Sequence, residues 1–369
     1  MKFLLTLLSI TMVIVAGCTT TKQLPIADFN SNTDTKLPII TLFHQRPTDT
    51  FLQECAKFEQ MSVLHHCEIN QLDLSKLQTE IKAANSFEDV ILANNDVDYQ
   101  LTITTGTYQL EEDADIKVNT ALYWNGFRLK NFNYAIPVQL RVSAPPTNQD
   151  TEQNIAKSIA SHILRDLQAE DLFSAQYLAN KLDSTDYATS VKFPDQAGKY
   201  LLQGEHVYTH PLSGIQARYW QPEQIEDYID VFVYPVRSPY WNNSHNDILS
   251  KEIDIARKEV DAVLAELEFT DITFTSTSNS LLHIHHQPIE VYFFEHEYTD
   301  LIINTYISNT YLTIVGDKFI KVRHTALKDA ASKAQADEFI QTLLSDIQVP
   351  GESLFMAKLR QQWRDKEQL

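Results

Sequence analysis

The chain has 369 residues, 43% hydrophobic and 10% aromatic, which is enough to bury two cores and too apolar for wholesale disorder. Its formal net charge of −19, from 49 acidic against 30 basic residues, argues against nucleic acid and against anionic membrane surfaces, since both need clustered Lys and Arg. Only 8 glycines occur and no phosphate-cradling motif is present, so neither nucleotide nor cofactor is expected.

At the N-terminus, Met1-Lys2 gives a short basic start, Phe3 to Val15 an apolar run, and Ala16-Gly17-Cys18 a small-residue close before a cysteine. So short a run is a secretory h-region, because a bilayer span needs about 18 or more apolar residues. The segment resembles the signal peptide and lipobox of bacterial lipoproteins, with Val15 where leucine is the commoner residue. The resemblance implies that residues 1–17 are removed and that Cys18 becomes an acylated first residue. Because Thr19 rather than aspartate follows, it also implies the outer membrane, with the globular part facing the periplasm. An ordinary secreted protein cut near Ala16 is the other reading of these residues. Attachment to the lipid bilayer would then rest on the acyl chains, since the charge is of the wrong sign.

Residues 18–36 are rich in Thr, Asn, Asp and Lys and read as a flexible tether. A first α+β domain is expected over 37–173. It opens with the β-rich run Pro38 to Phe43, followed by a helix carrying Phe51, Leu52, Cys55 and Phe58 on one face. A strand at Val63 to Ile69 and a helix marked by Leu74, Leu77 and Ile81 come next. Strands follow from Tyr99, from Ile116 to Tyr123 and from Phe127 to Val142, the last two separated by Asn125-Gly126, a type I′ hairpin signal. Asp150 and Gln153 form a capping box opening a helix with Ile155, Ile159, Ile163 and Leu167 on its stripe. Residues 174–199 have weak periodicity and read as a linker.

The second domain, over 200–350, is also expected to be α+β. Tyr228 to Val236 (YIDVFVYPV) is the clearest strand, Asp247 to Leu267 a long amphipathic helix, and strands at 269–277, 281–286, 289–296, 301–307, 310–315 and 318–325 follow it. A helix from Lys328 to Ile347 and a charged C-terminal helix within 351–369 close the chain. Each domain is expected to be an antiparallel-rich sheet with helices mainly on one face. The stretch Tyr311 to Val322 (YLTIVGDKFIKV) and its surroundings resemble PsbP/Mog1-like domains, a likeness of layout from which no activity is carried over.

Cys55 and Cys67 are the remaining cysteines, close a 13-residue loop and would meet an oxidising periplasm, so they are read as a disulfide or as two buried thiols. In His283-Ile284-His285-His286, His283 and His285 would share a strand face about 7 Å apart. With Glu295 or Asp300 they could hold Zn²⁺ or Cu²⁺, although histidines on an exposed sheet face are more often plain polar surface. His65-His66-Cys67 is a second group only if Cys67 is not bonded. The loop from Arg237 to Asn243 places Tyr240 and Trp241 either in a contact surface or, for Trp241, folded back over the sheet edge. No G-x-S-x-G or S-x-x-K motif occurs. The expectation is a non-catalytic binding or assembly factor for envelope components, with an envelope protein as partner. A metal-binding lipoprotein and a hydrolase with an unrecognised site are the alternatives.

Overall fold

The structure is a computed structural model. It describes residues 36–369 apart from 63–64, 70–71, 95–96, 111–112, 140–147, 268, 301–303, 329–332 and 368–369, and before them only the backbone pairing of Gly17–Cys18 with Thr21–Lys22. What the sequence predicts of the leader, the Cys18 side chain and the tether lies outside the described residues. Two compact units are present, one over Asn32–Leu182 and the other over Asp183–Leu369. Both join helices to antiparallel-rich sheets, the α+β class the sequence predicts. No helix among the described residues is long and apolar enough to cross a membrane.

The first unit is built from β1 (Ile40–His44), α1 (Asp49–Met61), β2 (His65–Glu68), α2 (Leu74–Ala83), β3 (Val90–Leu92), β4 (Tyr99–Leu110), β5 (Asp113–Trp124), β6 (Phe127–Gln139), α3 (Asn148–Ala169) and α4 (Ala175–Leu182). The sheet order is β3-β1-β4-β5-β6, with β1 parallel to both neighbours and β2 pairing with the far half of β4. Asn125 and Gly126 both take positive φ, 45° and 82°, as the I′ turn between β5 and β6 requires. Period-2 alternation buries Leu101, Ile103, Val118 and Leu122, while Ile159, Ile163 and Leu167 of α3 are buried on a helical stripe. Thr48 caps α1 by accepting from the Phe51 amide at 3.2 Å. Phe51 can approach the sheet because β4 has Gly106 there, where a Cβ would stand 2.9 Å from its ring.

The second unit contains α5 (Tyr187–Ser190), β7 (Gln196–Ala197), β8 (Tyr200–Val207), β9 (Ile215–Gln221), β10 (Gln224–Pro235), α6 (His245–Glu266), β11 (Thr270–Phe274), β12 (Ser278–Ile284), β13 (Gln287–Thr299), β14 (Thr305–Val315), β15 (Lys318–Leu327), α7 (Lys333–Asp346) and α8 (Leu354–Glu367). Its nine-stranded sheet runs β11-β13-β14-β15-β10-β9-β8-β7, with β12 on β13 and every pairing antiparallel. This sheet carries a helix on each face. α7 buries Phe339, Ile340 and Leu343 against Tyr219, Ile229, Val231 and Ile320 on one side. On the other, α6 buries Leu249, Ile253, Ala256 and Val260 against Phe294, Leu312 and Phe319. Each such apolar side chain contributes about 1.5–3 kcal/mol over an exposed one.

Two expectations need correction. Residues 174–199 are not a linker: Leu178, Ala179 and Leu182 of α4 are buried in the first unit, and Tyr187, Val191, Phe193 and Ala197 belong to the core of the second. Elements of 8 and 4 residues are too short to display a helical period in sequence. The runs at 301–307 and 310–315 are not separate strands: β14 is continuous through Ser308, Asn309 and Thr310, because these polar residues pair with strands on both sides.

Candidate functional site

Alternation along β10 and β15 sorts the second sheet into two chemically different faces. Ile229, Val231 and Val233 of β10 and Ile320 and Val322 of β15 point toward α7. The intervening Tyr228, Asp230 and Phe232, with Lys321, Arg323 and Thr325, point to the α6 side. The register then lines these polar residues up across the strands. Thr310 of β14 faces Arg323, Arg323 faces Asp230, and Asp230 faces Arg218 of β9, in one straight row. The adjacent row is His296 of β13, Ser308, Thr325, Tyr228 and Trp220.

Hydrogen bonding within the main row is uneven. Arg218 grips Asp230 with both arms, Nε to Oδ1 and Nη2 to Oδ2, each at 2.8 Å, and Gln216 Nε2 adds a bond to Oδ1 at 3.0 Å. Burial works against the Arg218 charge, yet these bonds to Asp230 more than offset it and its pKa rises. Tyr228 lies under the Arg218 guanidinium at 4.5 Å. Lys321 sits 3.6 Å from Glu259 of α6 and 5.0 Å from the Phe232 ring. Arg323 is different. It lies 6.0 Å from the Phe232 ring, and its buried Nε has no hydrogen-bond partner among the described residues. Across from it the Thr310 hydroxyl, 0% exposed, is also unpartnered.

His296, 3% exposed, stacks on Phe274 and Tyr298 and leaves Nδ1 without a partner. Burial, aided by the Arg323 charge, lowers its pKa to about 3, so the ring is a neutral imidazole at physiological pH. Burial raises the phenols of Tyr228, Tyr298 and Tyr306 above their ordinary value, so these too stay neutral. Arg323, Tyr228, Tyr298, Tyr306 and Trp220 all remain partly exposed. The chemistry on offer is therefore one guanidinium with a buried, unpartnered Nε beside buried neutral donors and acceptors, ringed by partly exposed aromatic rings.

A second polar cluster lies on the opposite face and is sealed. Tyr200 OH and His324 Nε2 both meet Asp227 Oδ1 at 2.8 Å, and the three residues are 0%, 0% and 1% exposed in that order. Lys199 stands 3.6 Å from Oδ2 of Asp227 and donates to Gln335 of α7 at 2.6 Å. Burial pushes the Asp227 pKa up, but the bond and charge of His324 and the Tyr200 hydroxyl pull it below its usual value. This group ties β8, β10, β15 and α7 together. At the turn between β14 and β15, Arg360 of α8 donates to Asp317 at 2.9 Å and to the Val236 carbonyl at 2.6 Å, with Lys318 also against Asp317.

Among the residues singled out from sequence, Cys55 and Cys67 form a disulfide with Cα atoms 5.6 Å apart. Cys67 is thereby excluded as a metal ligand beside His65 and His66. The histidine pair needs correction: β12 ends at Ile284, and His285 and His286 form the hairpin turn with φ of 48° and 65°. His285 therefore does not share a strand face with His283, and its Nε2 lies 3.1 Å from the Ser345 carbonyl. Asp300 is engaged by the Asn304 amide at 2.8 Å. Among the described residues no group of three or more His, Cys, Asp or Glu is placed to hold a metal ion. Trp241 is folded back, packed on the α6 cluster with the Arg360 guanidinium 5.3 Å from its ring, while Tyr240 stays 42% exposed. Sequence reasoning passed over Arg218, Asp230 and Arg323. The legible signal was a charge inside the most apolar strand, Asp230 in YIDVFVYPV.

No protein-family model matches the chain, and no curated protein matches it. Among solved structures, it is similar to a crystal structure from Bacteroides thetaiotaomicron VPI-5482, at 14% identity over 44% of this chain and 49% of that one, with a TM-score of 0.25. The chain thus spans about half the length of that protein. It is also similar to the solution structure of cyanobacterial PsbP (CyanoP) from Synechocystis sp. PCC 6803, at 11% identity over 44% of this chain and 93% of that one, with a TM-score of 0.27.

Proposed function

We propose that this chain is an outer-membrane lipoprotein, held by acyl chains on Cys18 and facing the periplasm, which binds an envelope component without catalysis. The contact surface in this reading is the charged and aromatic face of the second sheet. The observation that carries it is the cross-strand row Thr310, Arg323, Asp230 and Arg218, in which the buried Nε of Arg323 has no hydrogen-bond partner among the described residues and lies beside partly exposed rings. Arginine and aromatic residues around a desolvated centre are the composition that binding surfaces favour. A disulfide in the first unit is in keeping with an oxidising compartment.

Two measurements test this. Cys18→Ser should release the protein from the membrane fraction, and retention there would remove the anchoring part. Crosslinking in intact cells should capture a partner that Arg323→Gln weakens and Tyr240→Ala does not. Capture of the protein alone, or equal capture by both variants, would remove the binding part.

A further inference from the structure

The row on the second sheet contains three charges, and they do not cancel. Arg218 and Asp230 form a bidentate pair with both carboxylate oxygens engaged, and Gln216 takes the further position on Oδ1. Lys321, two residues back along β15 on the same face, is matched by Glu259. Arg323 faces the same Asp230 across the β10–β15 pairing and finds no bond there. The row is left with a single positive charge whose buried Nε has no acceptor. On the same face are two further unsatisfied groups, the Thr310 hydroxyl directly opposite and, in the adjacent row on β13, His296 Nδ1, both at least nine-tenths buried. Unsatisfied buried groups are costly, on the order of 1–3 kcal/mol each, and most buried polar groups in a folded protein find a partner in protein, water or ligand.

We infer that Arg323, Thr310 and His296 form a binding site for a carboxylate carried on an apolar or aromatic body. This deepens the reading of the sheet face as a contact surface and rests on it. The charge selects the anion: one uncompensated guanidinium balances one negative charge and leaves a dianionic phosphate over-charged beside Asp230. Geometry permits it, because the planar fork of a guanidinium matches two oxygens of a carboxylate as it does those of a phosphate, and the charge decides between them. The Thr310 hydroxyl supplies one further donor, and the neutral His296 ring supplies Nδ1–H when the proton sits on that nitrogen. The surroundings select the body. Phe232 lies 6.0 Å from the guanidinium, and His296 and Tyr298 continue a stacked run that Tyr306 extends at 5.4 Å. These rings offer an apolar bed for a flat group and little to a free inorganic ion.

The test is calorimetric titration of the full-length protein in detergent with sodium benzoate, with acetate, inorganic phosphate and benzamidine as comparisons. Benzoate should bind saturably, more tightly than acetate or phosphate, and benzamidine not at all. Arg323→Gln should weaken benzoate by about tenfold or more, the worth of a lost charge-assisted pair of bonds. Thr310→Val should weaken it several-fold and carries the test if Arg323→Gln fails to fold. Lys258→Gln, exposed on α6, should change nothing. Absence of saturable benzoate binding, affinity in the Arg323 and Thr310 variants unchanged from that of the unmodified protein, or tighter binding of phosphate than of benzoate overturns the assignment. The titration needs no partner, so its failure leaves the crosslinking result standing, and failed crosslinking leaves the titration standing.

Discussion

Replacing both Cys55 and Cys67 by alanine should destabilise the first unit by about 3–4 kcal/mol. The cross-link joins α1 to β2 across 12 positions, and in the chain-entropy treatment a loop of that length removes about 3 kcal/mol of unfolded-state freedom. Both cysteines are buried, at 7% and 8% exposure, among Phe51, Phe58 and Tyr108. Deleting their sulfurs adds on the order of 1 kcal/mol, as for other single buried heavy atoms. With a urea dependence of about 2 kcal/mol per molar, the midpoint should fall by about 1.5–2 M. Hydrogen exchange read by mass spectrometry localises the effect: amides of β4 and β5 should lose protection while those of β14 and β15, in the other unit, keep theirs. Dithiothreitol on the unmodified protein should reproduce the change. A midpoint shift below about 0.5 M, or lost protection centred on β14 and β15, would refute the assignment of this bond as a staple of the first unit.

Asp230→Ala should cost the second unit about 2–3 kcal/mol by leaving the partly buried Arg218 unpaired, whereas Arg218→Met with Asp230→Leu should recover most of it, both read from urea midpoints. Asp227 has its pKa lowered in the folded state, so its contribution is complete above the unfolded value of about 3.9 and is lost as pH falls through the lower folded value. Unfolding midpoints should therefore drop between pH 5 and 3, each pH about a unit either side of that value, and Asp227→Asn should flatten the slope; an unchanged slope would sink the idea. Trp241→Ala should lower stability by about 2 kcal/mol, less than a fully buried ring costs, and Tyr240→Ala by no more than about 0.5 kcal/mol.

Where local chemistry acts alone, the fold was legible in the chain. Asn125-Gly126 specifies its turn because only a few residue types tolerate positive φ twice in succession. The α6 stripe of Leu249, Ile253, Ala256 and Val260 reads directly as one helical face. The Cys55–Cys67 bond was legible because both thiols flank one short helix-to-strand loop. His285 was misplaced because a two-residue turn at His285-His286 lacks the usual glycine, so the strand reading ran on past Ile284. The row on the second sheet was not legible, since it joins residues from 218 to 323 and exists only once the register of four strands is known. Each member, taken singly, is an ordinary polar residue on a strand.

The row also separates what stability explains from what it does not. A paired Arg218 and Asp230 adds little net stability over apolar residues of the same size, but it does specify alignment. A slip of one residue between β9 and β10 would turn β9 over relative to β10, carrying Arg218 to the α7 face and Ile215, Ala217 and Tyr219 outward while Asp230 stayed behind unpaired. Lys321 is accounted for in the same manner, since Glu259 ties it to α6. Arg323 has no such role. Its side-chain Nε has no partner among the described residues, it faces an aspartate already taken, and its charge helps hold His296 neutral. If Arg323 were only a filler of the sheet face, Arg323→Leu should be neutral or stabilising, because an aliphatic side chain there would remove an unpaired buried donor. A stabilising Arg323→Leu that also abolishes benzoate binding is the joint outcome expected of a residue kept for its ligand at the expense of the fold.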